Sequence, residues 1–250
     1  MGIEAHPVRE TIVRFRLTAD ERARDHRFFT AMAAVCATVV FVGFAPTYYL
    51  RSFSDRPPLP PLVHLHAAVS TGWILLFLTQ SSLVAARRVE VHRRLGIAGA
   101  LLACVVLVVG WLTAIDGARR GVAPPGAPPQ PGFLAIPLGT ILSFAVLAAA
   151  GLWNRRRSAT HKRFMLLATI AILTPALARY RFYGIGDGPL TAILGTLALI
   201  AVCLIYDRRA HGRVHPAFAW GGAFLTATLI GRFALAATDT WRAVGAWLTG

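Results

Sequence analysis

The stretch VHLHAAVSTGWILLFLTQSSLVAARRVEVHRRLG, residues 63–96, decides the fold. It reads as an apolar helix, a short basic turn and the start of a second helix, with histidines at both ends. The first helix has about the 20 apolar residues that cross the hydrocarbon core of a bilayer. Residues three or four positions apart share a helix face. One face is partly polar and carries His66, Ser70, Trp73, Phe77, Gln80 and Val84. Polar groups at membrane depth are costly, so we expect this face to turn towards a bundle interior or a cavity.

The composition of the whole chain is typical of a membrane protein. Hydrophobic residues fill 56% of the 250 positions and charged residues only 15%, against about 25% charged in soluble domains. A net charge of +15 would suggest a nucleic-acid partner in a soluble protein. Here the arginines occupy short loops between apolar segments, where they indicate topology instead. We therefore exclude nucleic acid as a partner and expect membrane lipids.

Seven apolar segments predict an all-α, polytopic seven-helix bundle. The segments cover residues 29–49, 62–86, 93–115, 132–153, 161–181, 188–206 and 216–238. Pro175 is expected to kink the fifth. Residues 1–28 are predicted to form a polar arm, with a helix beginning near Ala19, and residues 239–250 an interfacial tail with Trp241 and Trp247.

The basic residues predict an orientation for this bundle. Most of the 26 lysines and arginines lie in the arm and in the turns at 87–94, 154–163 and 207–214, which alternate along the chain. The positive-inside rule then places the N-terminus in the cytoplasm and the C-terminus outside. The first 28 residues contain no apolar leader segment, so no cleaved signal peptide is expected. The bundle is therefore expected in the cytoplasmic membrane.

A first group of candidate residues is predicted on the cytoplasmic side. It comprises His92, His161, Asp207, His211 and His215, each at a helix end or in the adjoining turn. Three interpretations remain open. The histidines could be interfacial caps, or Asp207, His211 and His215 could join one of the others around zinc. Alternatively, His92 and His161 could be the axial pair of a b-type haem, with Arg94 or Arg163 near its propionates.

A second group is predicted on the external side. His66 stands about 30 Å from His92, so no metal can bridge them. His64 and His66 point in nearly opposite directions, and we place His66 inward because it heads the polar face. Arg232 lies within the last span, where an arginine needs a partner: an anion, haem propionates, or the outer headgroups in a purely structural role.

These external residues predict an outward-opening cavity for an anionic or lipid-like ligand. Its lining would comprise His66, Ser70, Trp73, Gln80, Tyr48, Arg179 and Arg232. Gln80 could equally hydrogen-bond a neighbouring helix as packing. A protein with such a cavity would be a binding or transport protein, whereas the haem hypothesis indicates a redox or sensory protein. A third class is an accessory subunit of a larger membrane complex, or a homo-oligomer, without chemistry of its own.

Four motifs carry a resemblance to a known family. They are GFAPTYYLR (43–51), HRRLG (92–96), HKRFMLL (161–167) and RVHPAFAWGG (213–222). With these motifs in this order, the chain resembles a family of uncharacterised bacterial seven-helix membrane proteins. The resemblance implies the fold and the inner membrane but no activity. It also leads one to expect an arginine where this chain has Pro46, and an acid where it has Gly139 and Thr140.

A weaker resemblance connects the chain to membrane proteins of the cytochrome b type. Their histidine pairs lie at matching depths on both sides, and only the cytoplasmic side of this chain could supply such a pair. Retinal proteins are excluded, because the one lysine of the chain is Lys162, at the start of the fifth span instead of deep in the last.

Overall fold

The computed structural model describes residues 19–250, and every regular element in that range is helical. The helices are α1 Ala19–Phe44, α2 Pro61–Ala85, α3 Val89–Arg119, α4 Ala135–Trp153, α5 Ser158–Ala171, α6 Thr174–Leu177, α7 Pro189–His211, α8 Pro216–Ala236 and α9 Asp239–Thr249. A π-helical turn follows α1 at Ala45–Tyr49, and 3₁₀ turns occupy Arg51–Phe53, Gly132–Leu134 and Ala178–Tyr183. The predicted arm at 1–28 is already helical from Ala19 onward, and its residues 1–18 lie outside the described range.

Six helical segments among these residues are long and apolar enough to cross a membrane. They begin at Asp20, Pro61, Val89, Gly132, Pro189 and Pro216. One further segment passes the same test as a pair of helices, α5 and the Thr174–Tyr183 segment, bent by 41°. The bend comes just before Pro175, whose missing N–H prevents a continuous helix. The all-helical, multi-pass fold and the kink of the fifth segment are therefore confirmed.

Helix α5 lies at the centre of the bundle. The six consecutive residues 166–171 are each at most 1% exposed, so this part of the helix is covered on all sides. This part of α5 has no polar face, because a helix surrounded by others has no side exposed to solvent. Trp73 of α2, Phe144 of α4 and Phe218 of α8 belong to the same core.

The basic turns meet at one end of the bundle, which we call the basic end. Arg24 near the start of α1 donates to the carbonyl of Ala210 near the end of α7, at 2.8 Å. The rings of His92 at the start of α3 and His161 at the start of α5 are 6.4 Å apart. The sequence predicted that the basic turns, which occur at every second connection between helices, lie at one end of the bundle, and the structure agrees.

The other end of the bundle, which we call the capped end, is closed by the loop at 120–134 and by α9. Arg119 donates to the carbonyl of Thr249 at 3.2 Å, and Gly245 of α9 packs against Pro131. The predicted interfacial tail is therefore a helix docked on the bundle. Trp247 nevertheless stays 80% exposed, and Trp241 packs on the bundle.

A close helix contact at the capped end provides a test of the packing. A Cβ added at Gly43 of α1 would overlap the backbone carbonyl of Ala176 in α6. Gly43→Ala should therefore lower the unfolding free energy by about 1–3 kcal/mol, the usual cost of overpacking. The readout is the thermal unfolding midpoint of the detergent-solubilised protein. Gly117→Ala in α3 is the control, since no atom lies within 4 Å of the added Cβ. Equal midpoints for the two variants would show that α1 and α6 do not touch there.

Candidate functional site

An ion pair between Arg163 of α5 and Asp207 of α7 is buried at the basic end. The Arg163 Nε and Nη2 atoms donate to the two carboxylate oxygens at 2.9 and 2.5 Å. The side chains are 4% and 0% exposed. The same carboxylate accepts the backbone N–H of His215 at 3.0 Å, which ties the turn before α8 to the pair. Asp207 thus serves as an anchor for three helices.

A second buried acid, Asp25 of α1, stands beside this pair. It is 1% exposed, and its carboxylate accepts hydrogen bonds from Lys162, from the Tyr206 hydroxyl and from His211 Nε2 at 3.0 Å. The His211 Nε2 atom also lies 4.0 Å from Asp207. Its Nδ1 atom is buried without a hydrogen-bond partner. The two acids, two cations and one histidine form a compact network between α1, α5 and α7.

This network leaves the zinc hypothesis without support. Asp207 is occupied by Arg163, and His215 uses Nδ1 to accept the backbone N–H of Ala217 at 3.1 Å, so it caps α8. Burial and the nearby Arg163 lower the pKa of His215 to about 4, which keeps the ring neutral as a cap requires. Within residues 19–250, no group of three or more His, Cys, Asp or Glu side chains is placed to hold a metal ion.

The other two histidines of the basic end, His92 and His161, lie close together. The planes of the His92 and His161 rings are inclined by 75°, with the centroid separation given above. His161 Nδ1 lies 2.8 Å from the Gly151 carbonyl and therefore donates to it, which leaves Nε2 with a free lone pair. His92 Nδ1 is buried without a partner. Such a pair has the donor chemistry of an axial ligand set, and the carbonyl orients one ring as ligand histidines are usually oriented.

The two arginines predicted beside haem propionates are engaged elsewhere. Arg163 is held by Asp207, and Arg94 forms an exposed pair with Glu90 on its own helix at 2.5 Å. An exposed pair of this kind contributes little energy and can be broken, whereas the buried one cannot without a large cost. The two histidine rings lie close together, but Arg163 is not available to a propionate, so haem binding stays a prediction.

Arg232 of α8 is the buried cation of the capped end. The residue is 4% exposed, and no Asp or Glu within residues 19–250 forms an ion pair with it. Its two terminal nitrogens donate to the hydroxyls of Thr140 in α4 and Thr174 in α6, the latter at 3.1 Å. The Nε atom is buried and has no partner.

The geometry of α4 and α6 explains how Arg232 fits between them. A Cβ added at Gly139 would lie 3.1 Å from the Arg232 Cβ, so a glycine leaves room for the arginine stem. Thr174 is available because the fifth segment is broken immediately before it. Both hydroxyls also donate to backbone carbonyls, Thr140 to Ile136 of α4 at 2.9 Å and Thr174 to Ala171 at the end of α5 at 3.1 Å. They therefore accept from the guanidinium and neutralise none of its charge.

Arg179 is a second cation of the capped end without a carboxylate partner in residues 19–250. Its guanidinium donates to Thr47 at 3.1 Å and to the Pro175 carbonyl at 2.6 Å, and it lies 4.3 Å from the Phe44 ring centroid. His66 is near enough to interact with it electrostatically. Arg179 and Arg232 thus bind consecutive residues, 175 and 174, on the distal side of the helix break.

The remaining residues of the predicted cavity are distributed differently from the expectation. Trp73 is 3% exposed and donates to Thr169 at 3.3 Å, so it belongs to the core and does not line a cavity. Tyr48 contacts the exposed His64 at 3.4 Å. Ser70 is partly buried. Gln80 lies near the opposite end beside Gly96 and His92, with its Oε1 atom buried and unpaired.

Several site residues were not predicted from the sequence. Thr140 and Thr174 look like ordinary small residues of apolar helices, and only the position of Arg232 reveals their role. Asp25 was counted within the polar arm. The adjacent aromatic residues Phe28 and Phe29 are the sequence signal that this part of α1 already packs against the bundle.

Comparisons with protein-family models, curated proteins and solved structures found no match to this chain.

The buried pair provides a test of the basic end. Asp207→Asn leaves the Arg163 cation buried without its counter-charge, so the unfolding free energy should fall by about 3–5 kcal/mol. The double variant Arg163→Met with Asp207→Leu removes both charges and should be less destabilised than Asp207→Asn. Unfolding in detergent, followed by thermal midpoint or denaturant, measures both. A double variant at least as unstable as the single one would contradict a predominantly electrostatic anchor.

Proposed function

We propose that this chain is a bacterial inner-membrane protein that crosses the bilayer seven times, with the bent fifth segment as one crossing. The clustering of basic turns at one end supports a cytoplasmic N-terminus and an external C-terminus under the positive-inside rule. The resemblance to uncharacterised bacterial seven-helix proteins agrees with this assignment. The capped end then faces outward and the basic end faces the cytoplasm.

Within that frame we propose that the protein binds an anionic ligand at Arg232. The observation that carries this proposal is a guanidinium 4% exposed, with an unpartnered Nε and no acid in the described residues to neutralise it. An isolated buried charge costs several kcal/mol, and in membrane proteins such a residue marks a functional site by default. At the basic end of the same bundle, buried Arg163 has its carboxylate. Arg232 therefore differs from Arg163 in that no carboxylate of the described residues neutralises its buried charge.

The chemistry of the site favours an oxyanion. A guanidinium presents N–H donors in a planar fork that matches carboxylate and phosphate oxygens. Two hydroxyls fix the terminal nitrogens of Arg232 from α4 and α6, so the side chain is held in place before a ligand arrives. Arg179 on the same side of the helix break adds a second positive charge. The ligand is a phosphate or carboxylate group, either of a free anion or of a lipid headgroup.

Anion-dependent stabilisation tests this proposal. Phosphate or acetate should raise the thermal midpoint of the detergent-solubilised protein above that in chloride at equal ionic strength, in a saturable manner, because ligand binding stabilises only the folded state. Arg232→Gln should abolish the rise. Parallel samples with phosphatidylglycerol separate a lipid headgroup from a free anion.

Two further variants make the result specific. Arg242→Gln removes an exposed arginine of α9, at the same end, and should retain the rise. Thr140→Val removes one hydrogen bond of Arg232 but keeps its charge, and should also retain a saturable rise. The proposal fails if no oxyanion stabilises the wild-type protein, or if Arg232→Gln responds as the wild type does.

The histidine pair supports a second candidate function, a redox or sensory protein that binds haem b or a metal ion. The specific observation is the 6.4 Å separation of the His92 and His161 rings, with Gly151 fixing one of them. The two imidazoles would supply the axial nitrogens, and a bound haem would supply electron transfer. The engagement of Arg163 with Asp207 places the anion proposal ahead of this one.

An absorption spectrum tests the second candidate. Protein expressed with haem supplied should show a Soret band, or elemental analysis should find a bound transition metal. His92→Ala and His161→Ala should each remove it, whereas His64→Ala, at the capped end, should not. Absence of both signals from the wild-type protein would eliminate this function and leave the anion proposal untouched.

A further inference from the structure

A surface groove of about 340 Å³ runs between α1 and α7 at the basic end. It is lined by Arg24, Val202, Ile205, Tyr206, Arg209 and Ala210. Five of these six residues come from α7, at spacings of three and four that place them on one face of the helix. The groove lies outside both sites described above, although Tyr206 is shared with the buried network.

The face of α7 changes from apolar to basic along the groove. Val202 and Ile205 are 45% and 51% exposed. Arg209 follows about 6 Å beyond Ile205 along the helix axis. In a membrane-spanning helix, exposed aliphatic residues face acyl chains and terminal arginines lie at the level of the headgroups. The order of residues therefore matches the order of parts in one phospholipid.

Two arginines flank the basic end of the groove. Arg24 on α1 and Arg209 on α7 are both exposed, and Arg24 is held there by its hydrogen bond to Ala210. The base of the groove is fixed as well, because Tyr206 stacks on Phe28 at 3.6 Å and donates to Asp25. Two cations on different helices with a rigid surface between them favour one bound anion over a diffuse counterion cloud.

We propose that this groove binds one anionic phospholipid of the cytoplasmic leaflet. Its phosphate lies between Arg24 and Arg209, and an acyl chain lies along Val202 and Ile205. Basic side chains near an anionic membrane surface contribute about 1 kcal/mol each to such binding. The apolar part of the groove selects a lipid over free phosphate, since a phosphate ion gains nothing from the aliphatic residues. The site depends on the membrane location and is independent of the anion proposed at Arg232.

Lipid-dependent stability of the full chain tests the proposal. Phosphatidylglycerol added to the detergent-solubilised protein should raise the thermal midpoint more than phosphatidylcholine, and native mass spectrometry should detect one retained phosphatidylglycerol. Arg209→Gln should remove most of this preference, and Arg24→Gln with Arg209→Gln should remove it all. Arg156→Gln, an exposed arginine of the α4–α5 turn at the same end, is the matched control and should keep it.

Three outcomes would overturn the site. The first is no preference for phosphatidylglycerol, and the second is an equal loss in Arg156→Gln, which indicates diffuse attraction. The third is that inorganic phosphate stabilises Arg232→Gln as much as phosphatidylglycerol does, which would show that the acyl chain contributes nothing. Arg209→Gln is the safer variant because Arg24 also donates to Ala210. Arg232→Gln should keep the lipid preference, so a failure of the anion proposal and a failure of this one are distinguishable.

Discussion

The structure depends on one constraint. A charged side chain buried away from water costs several kcal/mol of folding free energy unless it pairs with an opposite charge. At the basic end this constraint is satisfied within the bundle. Asp207 neutralises Arg163, and Asp25 neutralises Lys162, so α1, α5 and α7 are connected by charge as well as by apolar packing. Lys162 and Arg163 are adjacent on α5, so this helix packs against both α1 and α7.

The capped end lacks this compensation. Arg232 contacts hydroxyls and Arg179 contacts a hydroxyl, a carbonyl and an aromatic ring, all of which are dipoles or quadrupoles without net charge. Thr174 and the Pro175 carbonyl lie immediately after the break between α5 and α6. Thr174 contacts Arg232 of α8, and the carbonyl contacts Arg179 of the same segment. The bend and the two arginines that have no acidic partner in residues 19–250 therefore lie in one region of the bundle.

The five residues of the basic end that the sequence analysis treated as one group are divided between two clusters and a helix cap. Asp207 and His211 join the network around Asp25, while His215 caps α8 through its own ring. His92 and His161 form a separate pair that contacts Gly151 of α4. Depth in the membrane can be read from the spacing of apolar segments, which is why all five were assigned correctly to one end. The spacing of apolar segments does not show which residues are neighbours around the bundle axis, because that depends on which helices pack together.

The sequence by itself determined the helical class, the apolar segments, the clustering of the basic turns and the kink before Pro175. These features follow from local quantities: hydropathy over about 20 residues, the placement of arginines, and a proline without an N–H. Only the tertiary structure decided that Asp25 is buried, that Trp73 fills the core, and that Arg232 meets two threonines instead of an acid. Each of these depends on residues from helices far apart in the chain. The partners of a buried polar group come from other helices, so they are fixed only when the helices pack together.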